Sequence, residues 1–178
     1  KNRAAAGKRL LIVKSACVQI ISNPDAGSYS ETRMRALEDA WDAAGYTVIN
    51  SQCSPRAGFE LAPTATIVCI AGGDGTARHA LAALQSVPAL PPICVYPLGT
   101  VNLIALEHEA SRDPRKFVAQ TLRSPPARYK PVLLNDTLFS VCASIGPDAL
   151  AVARVSDRLK QFIGRAAYGV ALLQIGLK

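Results

Sequence analysis

Residues 67–76 read IVCIAGGDGT, an apolar run that passes directly into a glycine-rich turn. The run 67–71 does not alternate apolar and polar residues, which is typical of a strand covered on both faces in a parallel sheet. Glycines after such a strand let backbone N–H groups approach a phosphate closely, and a helix that begins there adds positive potential. Residues 67–76 therefore predict an α/β fold with an anion-binding turn at the end of a strand.

Three further apolar runs have the same character, and helical segments separate them. Ser28 and Glu31 have the spacing of a capping box, and Gly45 is placed to end the helix that they begin. The order is β-α-β, a loop, then β-α-β, which indicates a doubly wound parallel-sheet α/β domain whose ligands bind at the carboxyl ends of the strands. The predicted strands are 17–21, 46–49, 67–71 and 93–96, and a second helix is predicted over 76–84.

The pattern changes after Ser111. Residues 113–123 predict a short helix, and residues 132–134 and 138–143 predict a β-hairpin around Asn135-Asp136. An apolar, helix-like segment over 166–177 ends the sequence with no strands after it, so we expect the β-rich second domain to be incomplete. The predicted parts are a basic N-terminal segment over 1–16, an α/β domain over 17–125 and the beginning of a second domain over 126–178.

Composition excludes several classes of protein. The apolar runs are broken by Pro, Gly and Asp well short of the ~18 residues of a membrane span, which predicts a soluble protein. No two cysteines are spaced as CxxC and their number is odd, which argues against a zinc site and a disulfide framework. We expect buried free thiols in a reducing cytoplasm. The five are Cys17, Cys53, Cys69, Cys94 and Cys142.

The net charge of +7 is unevenly distributed. Residues 17–110 carry four basic and nine acidic groups, whereas residues 111–135 carry six basic groups and one acidic group. A basic cluster of this kind suits an anionic membrane surface or a nucleic acid, and a solvated helix face explains it equally well. Only ten residues are Phe, Trp or Tyr, which argues against a nucleic-acid module. The basic cluster consists of Arg112, Arg115, Lys116, Arg123, Arg128 and Lys130.

Two other turns follow predicted strands. PLGTVN, residues 97–102, comes after the fourth strand, and SNPDAG, residues 22–27, comes after the first. Because the strands are predicted to be parallel, we expect the turns around positions 74 and 100 to converge on one anion pocket. Taken singly, each turn has a purely structural explanation: a strand-to-helix turn capped by Asn102, a common NP turn, or a glycine turn with a capping Asp.

The carboxylate of Asp74 would repel a phosphate bound at the same turn, because both groups are negatively charged. A bound Mg²⁺ resolves this conflict. Thr76 could cap the second helix or donate to a phosphate oxygen.

In the motifs NPxxG, GGDGT and PLGTxN, in this order and at this spacing, the sequence resembles the bacterial diacylglycerol kinase-like lipid kinases. This family is related to sphingosine kinases and more distantly to NAD kinases. GGDGT alone admits NAD kinases and phosphofructokinases, whereas PLGTxN favours the lipid kinases. Residues 145–149 and 164–168 are similar to the start of the family's β-rich second domain.

The resemblance implies transfer of the γ-phosphoryl group of ATP, with Mg²⁺, to the hydroxyl of a lipid such as diacylglycerol. It implies a cytoplasmic protein that works at the inner membrane face. An incomplete β-domain also leaves a sheet edge that invites pairing of two copies. The implied nucleotide contacts are Asn23, Ser54, Gly72, Gly73, Asp74, Gly75, Thr76, Arg78 and Thr100, with Asp74 acting indirectly on Mg²⁺.

The chain departs from the family pattern at two places. GGDGT is usually followed by a hydrophobic residue, Asn and Glu, and here Ala77, Arg78 and His79 follow it. Leu103 replaces an Asp of the usual Mg²⁺ network. Arg78 could pair with a phosphate as a bidentate donor. The departures leave open a degenerate module that binds nucleotide or lipid without phosphoryl transfer.

A general base for the lipid hydroxyl is the other requirement. In related kinases it comes from late in the second domain, so we expect it beyond residue 178 and expect little activity from this chain alone. The titratable candidates present are Asp148, Asp157, His79 and His108, each with a structural or surface role as the simpler explanation.

Overall fold

The computed structural model describes residues 16–53, 58–130, 132–135, 137–139 and 149. The first six elements follow the order β-α-β-β-α-β, and two helices and a hairpin come after them. The strands are β1 (Cys17–Ser22), β2 (Thr47–Gln52), β3 (Ile67–Gly72), β4 (Ile93–Pro97), β5 (Val132–Leu134) and β6 (Thr137–Phe139). The helices are α1 (Glu31–Ala43), α2 (Asp74–Leu84), α3 (Leu103–Glu107) and α4 (Pro114–Arg123).

Four strands form one parallel sheet in the order β2-β1-β3-β4. The carboxyl ends of its central strands are level, because Ser22 is in register with Ala71 and Gly72 with Pro97. The residues that follow β1, β3 and β4 therefore lie along one edge of the sheet. The predicted doubly wound parallel α/β fold is confirmed.

Helices cover both faces of the sheet. On one face, α1 and α4 pack against alternate residues of the strands, among them Val18, Cys69 and Tyr96. On the opposite face, α2 and α3 pack against Ile21 and Ile70. This alternation follows from the pleat of a strand, which points successive side chains to opposite faces.

Burial explains why the central strands carry no polar alternation. Every residue of β1 is buried, as are five of the six residues of β3. The edge strand β2 is half-exposed, with Thr47, Asn50 and Gln52 facing solvent. A parallel sheet covered by helices requires apolar residues on both faces of its inner strands and tolerates polar residues on its edge.

The first helix begins two residues later than a capping box at Ser28 predicts. Ser30 is the N-cap, and its hydroxyl accepts a hydrogen bond from the Arg33 N–H at 3.2 Å. Glu31 is thus the first residue of α1 and not the partner of a capping box. The prediction for Gly45 is confirmed, because it follows the helix with a φ of +85°, a conformation that favours glycine.

The second helix begins at Asp74, two residues earlier than predicted, with Gly73 as its N-cap. Thr76 lies inside the first turn of α2 and therefore does not cap it. Gly73 is therefore the single residue between the end of β3 and the start of α2.

Beyond the sheet, α4 and a hairpin follow as predicted. The Asp113 carboxylate caps α4 by accepting from the Lys116 N–H at 2.8 Å. Strands β5 and β6 are antiparallel, with Leu133 opposite Leu138. The hairpin is confirmed around Asn135, although residues 140–143 of its second predicted strand lie outside the described residues, as do 1–15 and 151–178.

Four of the five cysteines lie in described residues and carry free thiols. Cys17, Cys53 and Cys69 are buried, and Cys94 is half-buried. Burial raises the pKa of the Cys53 and Cys69 thiols, so these thiols stay protonated at neutral pH. The expectation of buried thiols holds for Cys17, Cys53 and Cys69, whereas Cys94 is only half-buried.

Candidate functional site

Three loops meet at the carboxyl edge of the sheet. They are the first turn (residues 23–28, after β1), the glycine turn (72–75, from the end of β3 into α2) and the second turn (98–102, after β4). The Leu98 N–H donates to the Gly72 carbonyl at 3.0 Å, and the Ser28 N–H donates to the Leu98 carbonyl at 2.8 Å. Backbone hydrogen bonds therefore link all three loops.

The glycine turn and the second turn touch through their main chains. A Cβ on Gly99 would lie 2.4 Å from the Gly73 Cα, and a Cβ on Gly73 would lie 2.9 Å from the Gly99 Cα. Any side chain at either position would collide with backbone, so this contact requires glycine on both sides. The prediction that the turns around positions 74 and 100 converge is confirmed.

Asn102 closes the second turn on itself. Its buried side chain accepts from the Gly99 N–H and donates to the Gly99 carbonyl, both at 2.7 Å. Its backbone is left-handed, with φ at +60°, a conformation that Asn adopts more readily than most residues. Asn102 precedes α3, but its side chain does not cap that helix. The simple capped turn that was the alternative explanation is therefore wrong.

The cap of α3 comes instead from the glycine turn. The Ile104 N–H donates to Asp74 Oδ1 at 3.2 Å. Asp74 is half-buried and stands in the first turn of α2, so one carboxylate joins the N-terminal ends of two helices. Both helix ends favour a negative charge at this position.

The first turn is held against the other two. Asn23 Nδ2 donates to Thr76 Oγ1 at 3.2 Å, and Asn23 Oδ1 accepts from the Asp25 N–H at 3.0 Å. A Cβ on Gly27 would lie 3.2 Å from Thr100 Oγ1. Asn23 and Thr100, which the resemblance implies as nucleotide contacts, thus lie in the same cluster as Gly73 and Asp74.

Thr76, in the first turn of α2, packs against this cluster. Only 6% of it is exposed, and a Cβ on Gly72 would fall 2.5 Å from the Thr76 Cβ. Glycine at position 72 is needed so that the first turn of α2 can close over the end of β3. The Thr76 hydroxyl is engaged with Asn23, which makes Thr76 a residue that positions the first turn.

Gln19 is a residue that motif reasoning missed. It is 1% exposed in β1, and its amide makes three hydrogen bonds of 2.8 Å: to Ser51 Oγ, to the Glu60 carbonyl and from the Ala62 N–H. These bonds tie the end of β2 to the loop that leads into β3. A glutamine within the apolar run CVQII was the available signal, because a buried amide must find partners.

Residues 18–131, well over half of the chain, match the diacylglycerol kinase catalytic domain family. The chain belongs to this family. A diacylglycerol kinase of Staphylococcus carnosus (strain TM300) is 28% identical over 138 residues, which are 78% of this chain and 42% of that protein. The crystal structure of a diacylglycerol kinase from Bacillus anthracis str. Sterne shares the fold, with a TM-score of 0.52 and 20% identity over 69% of this chain and 45% of that chain.

The resemblance carried by NPxxG, GGDGT and PLGTxN is therefore confirmed. This member of the diacylglycerol kinase family spans less than half the length of the relatives that it matches. No helix in its described residues is long and apolar enough to cross a bilayer.

Two positions of the family chain that depart from the usual pattern lie on α2. Arg78 and His79 are both half-buried, and Arg78 stands one helical turn after Asp74 on the same side of the helix. Partial burial and the neighbouring Arg78 cation lower the pKa of His79. At neutral pH His79 is therefore an uncharged imidazole where the family pattern has a carboxylate.

Other candidates lie elsewhere. His108 is exposed at the C-terminal end of α3. Ser54, Asp148 and Asp157 lie outside the described residues.

The carboxylate of Asp74 suits a metal ion that arrives bound to a nucleotide. In the ranges that the structure describes, no group of three His, Cys, Asp or Glu side chains could hold a metal alone. Mg²⁺ in nucleotide enzymes is bound by one or two carboxylates together with substrate phosphates and waters. Asp74 is the carboxylate that the glycine turn offers for this purpose.

Proposed function

We propose that this chain is the nucleotide-binding part of an ATP- and Mg²⁺-dependent lipid kinase, which transfers the γ-phosphoryl group to a lipid hydroxyl, with diacylglycerol as the acceptor. One observation carries the proposal: the Gly73–Gly99 backbone contact brings two glycine turns to one edge of a parallel sheet. A polyphosphate needs several N–H donors close to one another, and we propose that the N-terminal end of α2 offers them beside the second turn.

The residues of the three loops have separate tasks in this proposal. Gly73 and Gly75 let the phosphates approach the N-terminal end of α2, whose positive potential attracts them. Thr100 and Asn23 donate from the second turn and the first turn. Asp74 holds the Mg²⁺ that accompanies ATP, and this metal neutralises phosphate charge when it is bound.

Phosphoryl transfer requires positioning and charge neutralisation more than covalent chemistry from the protein. The loops described above serve both needs. The general base and the acceptor pocket are proposed to belong to the second domain, as the resemblance implies, and Ser54 and Arg78 are proposed as further nucleotide contacts.

A non-catalytic relative is the second candidate, and Leu103 favours it. Leu103 is 36% exposed at the first position of α3, where the family pattern has an Asp of the Mg²⁺ network. With His79 also lacking a carboxylate, Asp74 is left to hold the metal. Phosphorylation of diacylglycerol by the full-length protein would exclude this candidate, and ATP binding without turnover would support it.

Gly75→Ala tests the proposed phosphate site without disturbing the fold. A Cβ at Gly75 meets nothing within 4 Å, and alanine in a helix is stabilising by about 0.5–1 kcal/mol relative to glycine. We expect the variant to fold normally and to bind ATP at least about tenfold more weakly, because the methyl group occupies space that a phosphate needs.

Isothermal titration of the full-length protein with ATP and MgCl₂ is the measurement. Gly58→Ala is the matched control, because a Cβ there also meets nothing within 4 Å. Wild-type affinity in Gly75→Ala would place the phosphates away from the glycine turn and would contradict the proposal.

The basic cluster and the free thiols support a proposal about where in the cell the protein works. We propose that the protein works in the reducing cytoplasm and binds the anionic inner membrane face through α4, whose Arg115, Lys116 and Arg123 are all exposed. Pairing of two copies through β5 is proposed too, because its apolar residues Val132, Leu133 and Leu134 are each more than half-exposed. Sedimentation equilibrium of the full-length protein would reveal a dimer.

A further inference from the structure

Arg33 lies beside the three loops but belongs to none of them. It is half-buried in the first turn of α1, and its Nη1 donates to the Ser28 carbonyl at 3.1 Å. Its guanidinium carbon lies 5.8 Å from the centroid of the Tyr96 ring. None of the nucleotide contacts proposed above uses this cation.

The bond from Arg33 is the first of a series that crosses all three loops. Ser28, which accepts from Arg33, donates its own N–H to the Leu98 carbonyl at 2.8 Å. Leu98 in turn donates its N–H to the Gly72 carbonyl at 3.0 Å. Three successive hydrogen bonds therefore connect α1, the first turn, the second turn and the glycine turn.

The aromatic ring that Arg33 faces is itself fixed. Tyr96 is fully buried, its hydroxyl donates to the Arg112 carbonyl at 2.8 Å, and its ring meets that of Phe117 edge-on at 5.0 Å. Tyr96 is also the residue of β4 that comes two positions before Leu98. The guanidinium is thus held between a rigid ring and the carbonyl at the outer end of the hydrogen-bond series.

We propose that Arg33 is a positioning residue for the nucleotide crevice, which holds Ser28 and Leu98 so that the first and second turns face the glycine turn. This role rests on the proposed function, because it concerns the same ATP site. Arginine suits this role because a guanidinium offers several donors in a fixed plane and can lie over an aromatic ring while it donates, whereas the ammonium group of lysine is a compact point charge without that plane.

The test compares Arg33→Met and Arg33→Lys with the matched control Arg35→Met in the full-length protein. Arg35 is exposed on the same helix two residues later, so its loss removes the same charge without touching the loops. We expect the Kd for ATP to rise about tenfold in Arg33→Met, less in Arg33→Lys and not at all in Arg35→Met. Isothermal titration separates this effect from misfolding, because unfolded protein lowers the binding stoichiometry and leaves the Kd of the folded fraction unchanged.

Hydrogen exchange gives a second readout that needs no nucleotide. Peptides that contain the Ser28 and Leu98 amides should exchange at least about fivefold faster in Arg33→Lys than in the wild-type protein, and at the wild-type rate in Arg35→Met. Unchanged exchange at both amides, or an unchanged Kd in folded Arg33→Met, would overturn the inference. Failure of the wild-type protein to bind ATP, with faster exchange in the Arg33 variants, would instead contradict the proposed function and leave the positioning role supported.

Discussion

At position 74 a single carboxylate serves two helices and is also the proposed contact of a metal. Its Oδ1 accepts from the Ile104 N–H at 3.2 Å, and it stands in the first turn of α2. The capping role is a property of the fold, whereas the metal role depends on the negative charge. Substitutions that keep the oxygen and remove the charge can therefore separate the two roles.

We expect Asp74→Ala and Asp74→Asn to differ in their free energy of unfolding but to show the same change in Mg²⁺-dependent ATP binding. Alanine removes the cap of α3 and should lower the free energy of unfolding by about 1 kcal/mol, while asparagine keeps an acceptor for the Ile104 N–H and should cost little. Both should lose the gain in ATP affinity that Mg²⁺ gives the wild-type protein, because neither carries a charge at this position.

Urea unfolding measures the first effect, and titration with ATP in the presence and absence of MgCl₂ measures the second. An Asp74→Asn protein in which Mg²⁺ still strengthens ATP binding would show that the metal is held elsewhere. Equal destabilisation of both variants would show that the bond to Ile104 is not what the carboxylate contributes.

At the scale of elements, long apolar segments were predictable and their ends were not. The buried strands β1 and β3 follow from apolar runs, interrupted in β1 by Gln19 alone, and their observed ends differ from the prediction by one residue. The start of α1 was misplaced because Ser28 and Ser30 are both good N-cap residues and only tertiary contacts choose between them. Ser28 is held as a loop residue by its bonds to Leu98 and Arg33.

Ser30→Ala tests this choice directly. Loss of the Ser30 hydroxyl leaves the Arg33 N–H without its capping partner and should lower the free energy of unfolding by about 1 kcal/mol. Ser28→Ala is the matched control and should change it by less than about 0.5 kcal/mol, because Ser28 bonds through its backbone. Urea denaturation of the two variants is sufficient, and the reverse ranking would restore Ser28 as the N-cap.

In the candidate site, the sequence predicted which turns meet but not the individual contacts that hold them. Strand ends and glycines predicted which turns meet, because parallel strands present their carboxyl ends at one edge. The left-handed Asn102 and the bond from Asp74 to Ile104 were not predictable, since each depends on a neighbour far away in the sequence or on a backbone conformation that several residue types can adopt. Gln19 was visible as a polar residue in an apolar run, but its three partners lie 32 to 43 residues away.

At the scale of the whole molecule, charge is separated between two helices on the same face of the sheet. The outward residues of α1 include Glu31, Asp39 and Asp42, whereas α4 exposes Arg115, Lys116 and Arg123. Phe117 and Val118 fix the orientation of α4 by packing against the core, so its basic residues share the solvent side. The exposed side of α4 is therefore basic, and it is the surface that the proposed contact with an anionic bilayer would use.

We expect the triple variant R115E/K116E/R123E to lose most of its binding to anionic vesicles. Basic residues near an anionic surface contribute about 1 kcal/mol each, so three reversals should weaken binding by at least about a hundredfold. Cosedimentation of the full-length protein with phosphatidylglycerol vesicles measures this loss, with phosphatidylcholine vesicles and high salt as controls. Undiminished binding of the variant would mean that α4 is a solvated face.

The contact between Gly73 and Gly99 is made by main-chain atoms, so it does not depend on the side chains of Arg78, His79 or Leu103. Substitutions at Arg78, His79 or Leu103 should therefore leave the glycine turn and the second turn in contact. In the proposed kinase, changes at His79 and Leu103 should therefore cost phosphoryl transfer before they cost nucleotide binding.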